Sequence, residues 1–404
     1  ILSTADPFVD TKLRAWTAVL GSFLSLFCSF GQMTAFGTFQ SWYSDHQLSS
    51  MSPFSISWIG SLQLWTFFFM GGPVGCVFDA YGPSPLLIVG TIILALSTVL
   101  TSLVTEYYQY LLAQGVLFGL GVAMLFYPSL ASVATHFNEY RATAIGIASA
   151  GSGCGGVVYP IALRYLFSSV GFEWGVRVSA LASGVLCVLA ILTIRTRFPV
   201  KRAGVVVDIR SIQDKRFLLL VTGSFFVCIG TFIPYFYISE YAETMNMSPN
   251  TAFYVLSVMN AGSIVGRVAP AWLSDKIGRF NLLCPTAFLS GLSCLVFWMF
   301  AKNIVTIAIF SATYGFLSGA FYSVITPCIT QISDMREVGT RIGTLYSLIS
   351  IPSLCGGPVA GALLQWQRGS FTATIAFAGS SIILGSAFLL ASKLKIDQRL
   401  FCLV

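Results

Sequence analysis

Polar and apolar positions in this chain come in blocks rather than in a helical or strand alternation. Apolar runs of about 20 residues, the length a helix needs to cross a ~30 Å hydrocarbon core, lie at 16–39, 57–78, 86–105, 110–135, 142–166 and 177–194. Six more follow at 216–239, 251–273, 282–301, 304–330, 342–365 and 372–391. The pattern predicts an all-α polytopic membrane protein of twelve transmembrane helices in two sets of six. Residues 1–194 form an N-terminal bundle, 195–215 a basic cytoplasmic linker, and 216–404 a C-terminal bundle with a short tail.

Composition agrees with the blocks. Of the 404 residues 56% are hydrophobic and only 9% charged, with mean hydropathy +0.81, against roughly 25% charged in soluble domains. The net charge of +7 raises the question of an acidic or nucleic-acid partner, and the placement of the charges answers it. With both termini cytoplasmic, 17 of the 22 basic residues fall in cytoplasmic segments and four (Arg164, Arg177, Lys302 and Arg368) in outer ones, as the positive-inside rule requires. A multi-pass protein of the plasma membrane is expected, with the lipid bilayer as a partner, no nucleic acid, and a monomeric state. The sequence opens at Ile1 without a signal peptide, so an earlier start is expected.

Two classes of function fit poorly. His46 and His136 sit at span ends, and no His, Asp and Ser cluster can be assembled for an enzyme. Charged rings or a carbonyl filter for an ion channel are also missing from the pattern. The ten cysteines contain no C-x-x-C pair and read as packing residues, so neither metal nor cofactor is expected.

The two sets of six repeat each other. Gly115 and Gly119 recur as Gly315 and Gly319, Asp79 as Asp275, Arg141 as Arg341, and the Cys-Gly-Gly triplet at Cys154 as that at Cys355, with offsets of 196 to 201 residues. Parallel six-helix repeats are the architecture of rocking carriers. Glycines inside the spans allow close helix approach. Prolines at 73, 128, 160, 234, 270, 327, 352 and 358 are expected to bend helices that open and close a path.

The run from Asn260 to Asn281, NAGSIVGRVAPAWLSDKIGRFN, places a permanent cation inside an apolar helix. On a helix Asn260, Ser263 and Arg267 share one face. An ionisable residue in a span costs roughly 2.5–3.5 kcal/mol on insertion scales and is a functional candidate by default. The other reading is a snorkelling side chain, since Arg267 lies roughly 9 Å from the expected helix end at 1.5 Å per residue. If Arg267 is an anchor, its planar fork of donors suits a carboxylate. Tyr127, Tyr235, Phe236, Phe321 and Tyr322 are then candidates to enclose an apolar or ring-bearing body, with Asn260 and Tyr346 as secondary candidates.

The segments GCVFDAYG at 75–82 and AWLSDKIGR at 271–279 resemble the loop signature after the second and eighth helices of the major facilitator superfamily. Within that superfamily WTAVLGSF at 16–23, the run YRATAIGIASAGS at 140–152, PYFYISEYA at 234–242, NAGSIVGR at 260–267, GRFN at 278–281, YGFLSGAF at 314–321 and GTRIG at 339–343 are similar to the fungal branch of the monocarboxylate transporter family. The resemblance implies a secondary carrier working by alternating access on a small organic anion, monocarboxylate-like, with Arg267 as anchor. It equally admits a facilitator or exporter of riboflavin, another flavin-like solute or a fungal secondary metabolite, or a solute receptor that does not transport. In animal members the anchor is joined by an aspartate and a lysine. Here Ser263 stands at the aspartate position, and the lysine position falls at Thr34, beside Gln32. The signature also implies a cytoplasmic latch at Asp79, Asp275, Lys276 and Arg279. Its first copy carries Ala80, Pro83 and Ser84 where basic residues are usual, so the latch at Asp79 is expected to be the weaker. Asn246, Met247 and Ser248 form a glycosylation sequon that this topology places outside.

Overall fold

The computed structural model describes residues 13–196, 213–245, 247–334 and 337–397. Most of the expected linker at 195–215 and the sequon residue Asn246 lie outside the described residues. Within them the chain forms twelve helical rods and no strand. The rods are α1 (Leu13–Asp45), α2 (Ser55–Tyr81), α3 (Pro83–Thr101), α4 (Tyr107–His136), α5 (Arg141–Val170), α6 (Phe172–Thr193), α7 (Lys215–Thr244), α8 (Pro249–Ile277), α9 (Arg279–Trp298), α10 (Ile304–Gln331), α11 (Val338–Trp366) and α12 (Thr372–Ile396). Eleven are long and apolar enough to span a membrane. The other, α8, has 29 residues and carries Asn260, Arg267, Asp275 and Lys276.

Local chemistry marks the repeat at the ends of α2 and α8. Each starts on a Ser-Pro pair: Ser52 Oγ accepts from Ser55 N at 3.1 Å, and Ser248 Oγ from Thr251 N at 3.3 Å. A serine cap followed by proline in the first turn is a strong start signal. Both helices end at a glycine with positive φ, Gly82 at 77° and Gly278 at 98°. The Cβ penalty there lets only glycine reverse the chain cheaply into the next helix.

Two breaks in the rods fall at prolines as expected: α2 is interrupted at Met70, three residues before Pro73, and α11 at Ile349, three residues before Pro352. Pro128, Pro160, Pro234, Pro270, Pro327 and Pro358 all sit inside continuous helices. By contrast α1 and α4 are disturbed by π segments at Phe27–Gly31 and Leu111–Leu117, neither of which contains proline. Wide turns of this kind arise where local packing favours an extra residue, and they frequently mark functional sites.

The halves meet along α2 with α11 and α5 with α8. Glycine makes the approach close: a Cβ at Gly71 would sit 2.9 Å from the Gly343 carbonyl oxygen, and one at Gly75 would collide with the Gly339 carbonyl. Across the other seam a Cβ at Gly146 would collide with the Arg267 carbonyl. In lipid, where burial of apolar surface drives little association, such backbone proximity supplies the dispersion contact.

Candidate functional site

At the end of the bundle where α2 runs into α3 and α8 into α9, two carboxylates cross between the halves. Asp79 Oδ1 accepts from Gly339 N at 3.0 Å, while its Oδ2 accepts from Thr340 N and Thr340 Oγ1, both at 2.7 Å. Asp275 repeats the pattern, accepting from Ala142 N at 3.0 Å, Thr143 N at 2.7 Å and Thr143 Oγ1 at 2.8 Å. Each carboxylate therefore caps the first turn of a helix in the opposite half, where orphan N–H groups and the macrodipole favour negative charge. Backbone amides and a threonine hydroxyl hold both carboxylates, and Arg279 adds an ion pair at Asp275.

The basic residues of the second copy divide their work. Arg279 Nη2 reaches Asp275 at 3.5 Å and the Asn138 carbonyl at 3.3 Å, bridging α9 to the α4–α5 turn. Lys276 takes no part in the latch: it is exposed, with its ammonium 3.8 Å from the centroid of the Trp272 ring.

Arg267 lies deeper in the same seam and is 9% exposed. Its Nη1 donates to the Ser149 carbonyl at 3.1 Å and to Ser152 Oγ, while Nε is buried without a hydrogen-bond partner. The Arg267 backbone lies opposite Gly146, yet its head reaches Ser149 and Ser152, one to two turns farther from the latch end of α5. The side chain thus points toward the middle of the bundle, following the tilt of helical Cα–Cβ bonds toward the N-terminus, and snorkelling is ruled out in this state. Asn260, about two turns along α8 toward its start, donates to the Gly156 carbonyl at 3.5 Å. Ser263 is buried on the same helix, its hydroxyl facing Gly153 of α5.

Of the two residues near the expected lysine position, Thr34 faces this seam. It is exposed at the break in α1 and lies across Gly156 from Asn260, its hydroxyl donating to the Gly31 carbonyl at 2.8 Å. Gln32 turns the other way, into the N-terminal bundle. Its Nε2 donates to Ser179 Oγ at 3.4 Å and its Oε1 accepts from Ser183 Oγ at 3.3 Å, so α6 holds it away from Arg267.

The aromatic candidates form two groups. Tyr127 and Tyr346 meet across the halves with ring centroids 5.3 Å apart; the Tyr127 hydroxyl donates to the Phe67 carbonyl at 3.1 Å, and Tyr346 Oη lies 3.4 Å from Thr326 Oγ1. Tyr235 Oη lies 3.0 Å from Ser318 Oγ, and the hydroxyls of Tyr235, Tyr322 and Tyr346 are within electrostatic range of the Arg267 guanidinium. Tyr322 Oη is buried beside the Cys228 thiol. Phe236 is half exposed with Phe232 beside it at 6.0 Å, and Phe321 is fully buried against Tyr322 at 5.4 Å. Phe321 therefore packs the C-terminal core, whereas Phe236 presents its ring at a surface.

Sequence reading missed the rings that join these groups. Phe68 stacks on Tyr346 at 5.9 Å and lies 6.1 Å from Phe232, while Phe30, Phe67 and Phe126 pack on one another at 5.0–5.6 Å. The triple phenylalanine at 67–69 was the available signal, but an aromatic run in an apolar span carries no direction. Ser149, Ser152, Thr143 and Thr340 were missed because partners of a buried charge are set by which helix faces it.

The comparisons with known proteins agree with this architecture. The family model described as Major Facilitator Superfamily matches residues 22–301 and 220–399. The chain is 36% identical over 395 residues to MFS-type transporter 1 of an Ophiocordyceps species, covering 97% of this chain and 88% of that protein. It is also 36% identical over 393 residues to the aspyridones efflux protein of Emericella nidulans, covering 96% and 80%. Among solved structures the human organic anion transporter MFSD10 superposes with a TM-score of 0.75 at 14% identity over 94% of this chain and all of that one, a likeness of fold. Two six-helix halves, latched by crossed carboxylates and matched along almost their whole length by transporters of one superfamily, establish that this chain belongs to the Major Facilitator Superfamily.

Proposed function

We propose that this transporter exports an acidic organic solute of the size of a fungal secondary metabolite, by alternating access, with Arg267 as the anion anchor. The observation that carries the reading is Arg267 itself. A guanidinium held at one nitrogen by Ser149 and Ser152, with Nε buried and unpartnered, retains donor capacity for a carboxylate or enolate. Leaving such a group unsatisfied costs more than a neutral orphan would. Tyr235, Tyr322 and Tyr346 supply aromatic surface around it, suited to a ring-bearing body. Efflux is favoured because relatives such as the aspyridones efflux protein carry that word in their names.

A lactate-sized monocarboxylate fits less well, since the second and third charged groups of animal monocarboxylate carriers are replaced by Ser263 and Thr34. The same proposal places both termini in the cytoplasm and the protein in the plasma membrane, with residues 1–194 and 216–404 moving as two bundles about the linker at 195–215. Hydrogen bonds at Asp79 and Asp275 then belong to a state closed toward the cytoplasm, with Arg267 buried beyond that closure. The test is a thermal-shift screen of the purified protein with aromatic carboxylic acids, short monocarboxylates and riboflavin, followed by proteoliposome transport of the best ligand. Stabilisation by aromatic acids that Arg267→Ala abolishes is expected. Equal stabilisation of wild type and the alanine variant by every ligand overturns the anchor.

A further inference from the structure

The N-terminal bundle holds a small polar cavity whose lining does not include Arg267. It has room for about one water, about 10 Å³, and is lined by Gln32, Gln63, Thr98, Thr101, Gln114 and their apolar neighbours. Three glutamines and two threonines inside one six-helix bundle are costly in lipid unless their polar atoms are paired.

The pairing is lopsided. Gln114 Oε1 accepts from Tyr43 Oη at 2.7 Å, and Gln32 is fixed by Ser179 and Ser183. Thr98 Oγ1 gives its hydrogen to the Leu94 carbonyl and Thr101 Oγ1 to the Ser97 carbonyl, both at 2.8 Å. Both hydroxyls therefore keep lone pairs and no hydrogen for the cavity. Gln63 is 2% exposed, and its Oε1 has no hydrogen-bond partner. Gln63 Oε1 is thus the buried acceptor of the cavity left without a donor.

We infer that this cavity is a hydration site of the N-terminal bundle, in which an ordered water donates one hydrogen to Gln63 Oε1 and the other to a threonine lone pair. Buried waters of this kind make about three hydrogen bonds each. Water also fits the electrostatics. No carboxylate lines the cavity, and a cation would enter without a countercharge. The site joins α1, α2, α3 and α4 just beyond the π segment of α1 and within that of α4, so the water bridges helices at the places where their own ladders are loosened.

The inference is independent of the solute and of Arg267. It is tested on the purified, full-length protein by two measurements. A structure at a resolution that shows ordered solvent is expected to place water within 3.2 Å of Gln63 Oε1. Thermal unfolding in choline chloride is expected to fall by several degrees for Gln63→Leu, because the water loses its acceptor, and to fall less for Thr98→Val. A dry cavity predicts the reverse, since Gln63→Leu would remove an unsatisfied buried group and raise the midpoint. A raised midpoint, or density without water, overturns the inference. A midpoint for wild type that rises in sodium chloride over choline chloride, and does not in Gln63→Leu, also overturns it in favour of a sodium site.

Discussion

Arg267→Ala is expected to remove one charge-assisted interaction with the solute, about 1.5–3 kcal/mol, or roughly 10- to 150-fold in affinity. Folding should survive, because Ser149 and Ser152 keep intrahelical options. Arg267→Lys is expected to recover little, since an ammonium cannot reproduce the planar fork; ligand-induced thermal shifts on both variants check this. The latch carboxylates make a paired prediction. With matching sets of amide and hydroxyl donors at Asp79 and Asp275, Asp79→Asn and Asp275→Asn should each weaken cytoplasmic closure by a similar amount, about 0.5–2 kcal/mol from lost charge at a helix N-terminus. Accessibility of a Thr330→Cys reporter to a cytoplasmic maleimide measures it, and an effect confined to Asp275→Asn would show that the basic residues matter after all.

At the scale of elements, the seams depend on glycine. A side chain at Gly75 collides with the Gly339 carbonyl, so Gly75→Val should push α2 from α11 and disfavour cytoplasmic closure more than either latch variant does. The same Thr330→Cys reporter reads the comparison. The start of α7 is pinned by Asp214, which accepts from Arg216 at 3.0–3.1 Å and lies 3.9 Å from Arg341 of α11. Partial burial works to raise the pKa of Asp214, but hydrogen bonds from Arg216 and the charges of Arg216 and Arg341 outweigh it and hold the pKa below the usual 3.8. The sign follows from linkage: a depressed carboxylate pKa stabilises the fold above about 3.8 and loses that contribution as pH falls through its lower folded value. Asp214→Asn is therefore expected to lower the thermal midpoint at neutral pH and to converge with wild type in strong acid.

At the scale of the whole molecule the carboxylates define the energetics. Among the described residues every Asp and Glu lies near a helix end or in a turn, with Asp79, Glu240 and Asp275 the farthest inside a helix. Proton-driven carriers use a buried group that titrates as the path alternates. Arg267 does not titrate in the physiological range, and the Ser263 hydroxyl does not ionise there either. Facilitated movement, or coupling through the solute's own protonation, is the expected behaviour. The check is accumulation in proteoliposomes under a pH gradient with a solute of no pKa between 5 and 8. Uphill accumulation that Glu240→Gln eliminates would locate a proton site at the end of α7 instead.

The sequence by itself determined the twelve helices, the division into sixes and the polar face of α8, because apolar runs in lipid leave the backbone no option but helix. It also carried the latch carboxylates, through glycine and aspartate spacings repeated at 196 residues. Tertiary structure alone decided partners. Gln32 and Thr34 are two residues apart, yet the π segment of α1 and the break at Ala35 send one toward α6 and leave the other at the seam. Asp79 found its donors 260 residues away on α11, where no local pattern could announce them. The physical reason is common to all these cases: period and composition fix which face of a helix is polar, while the neighbour that satisfies that face depends on how helices distant in sequence pack.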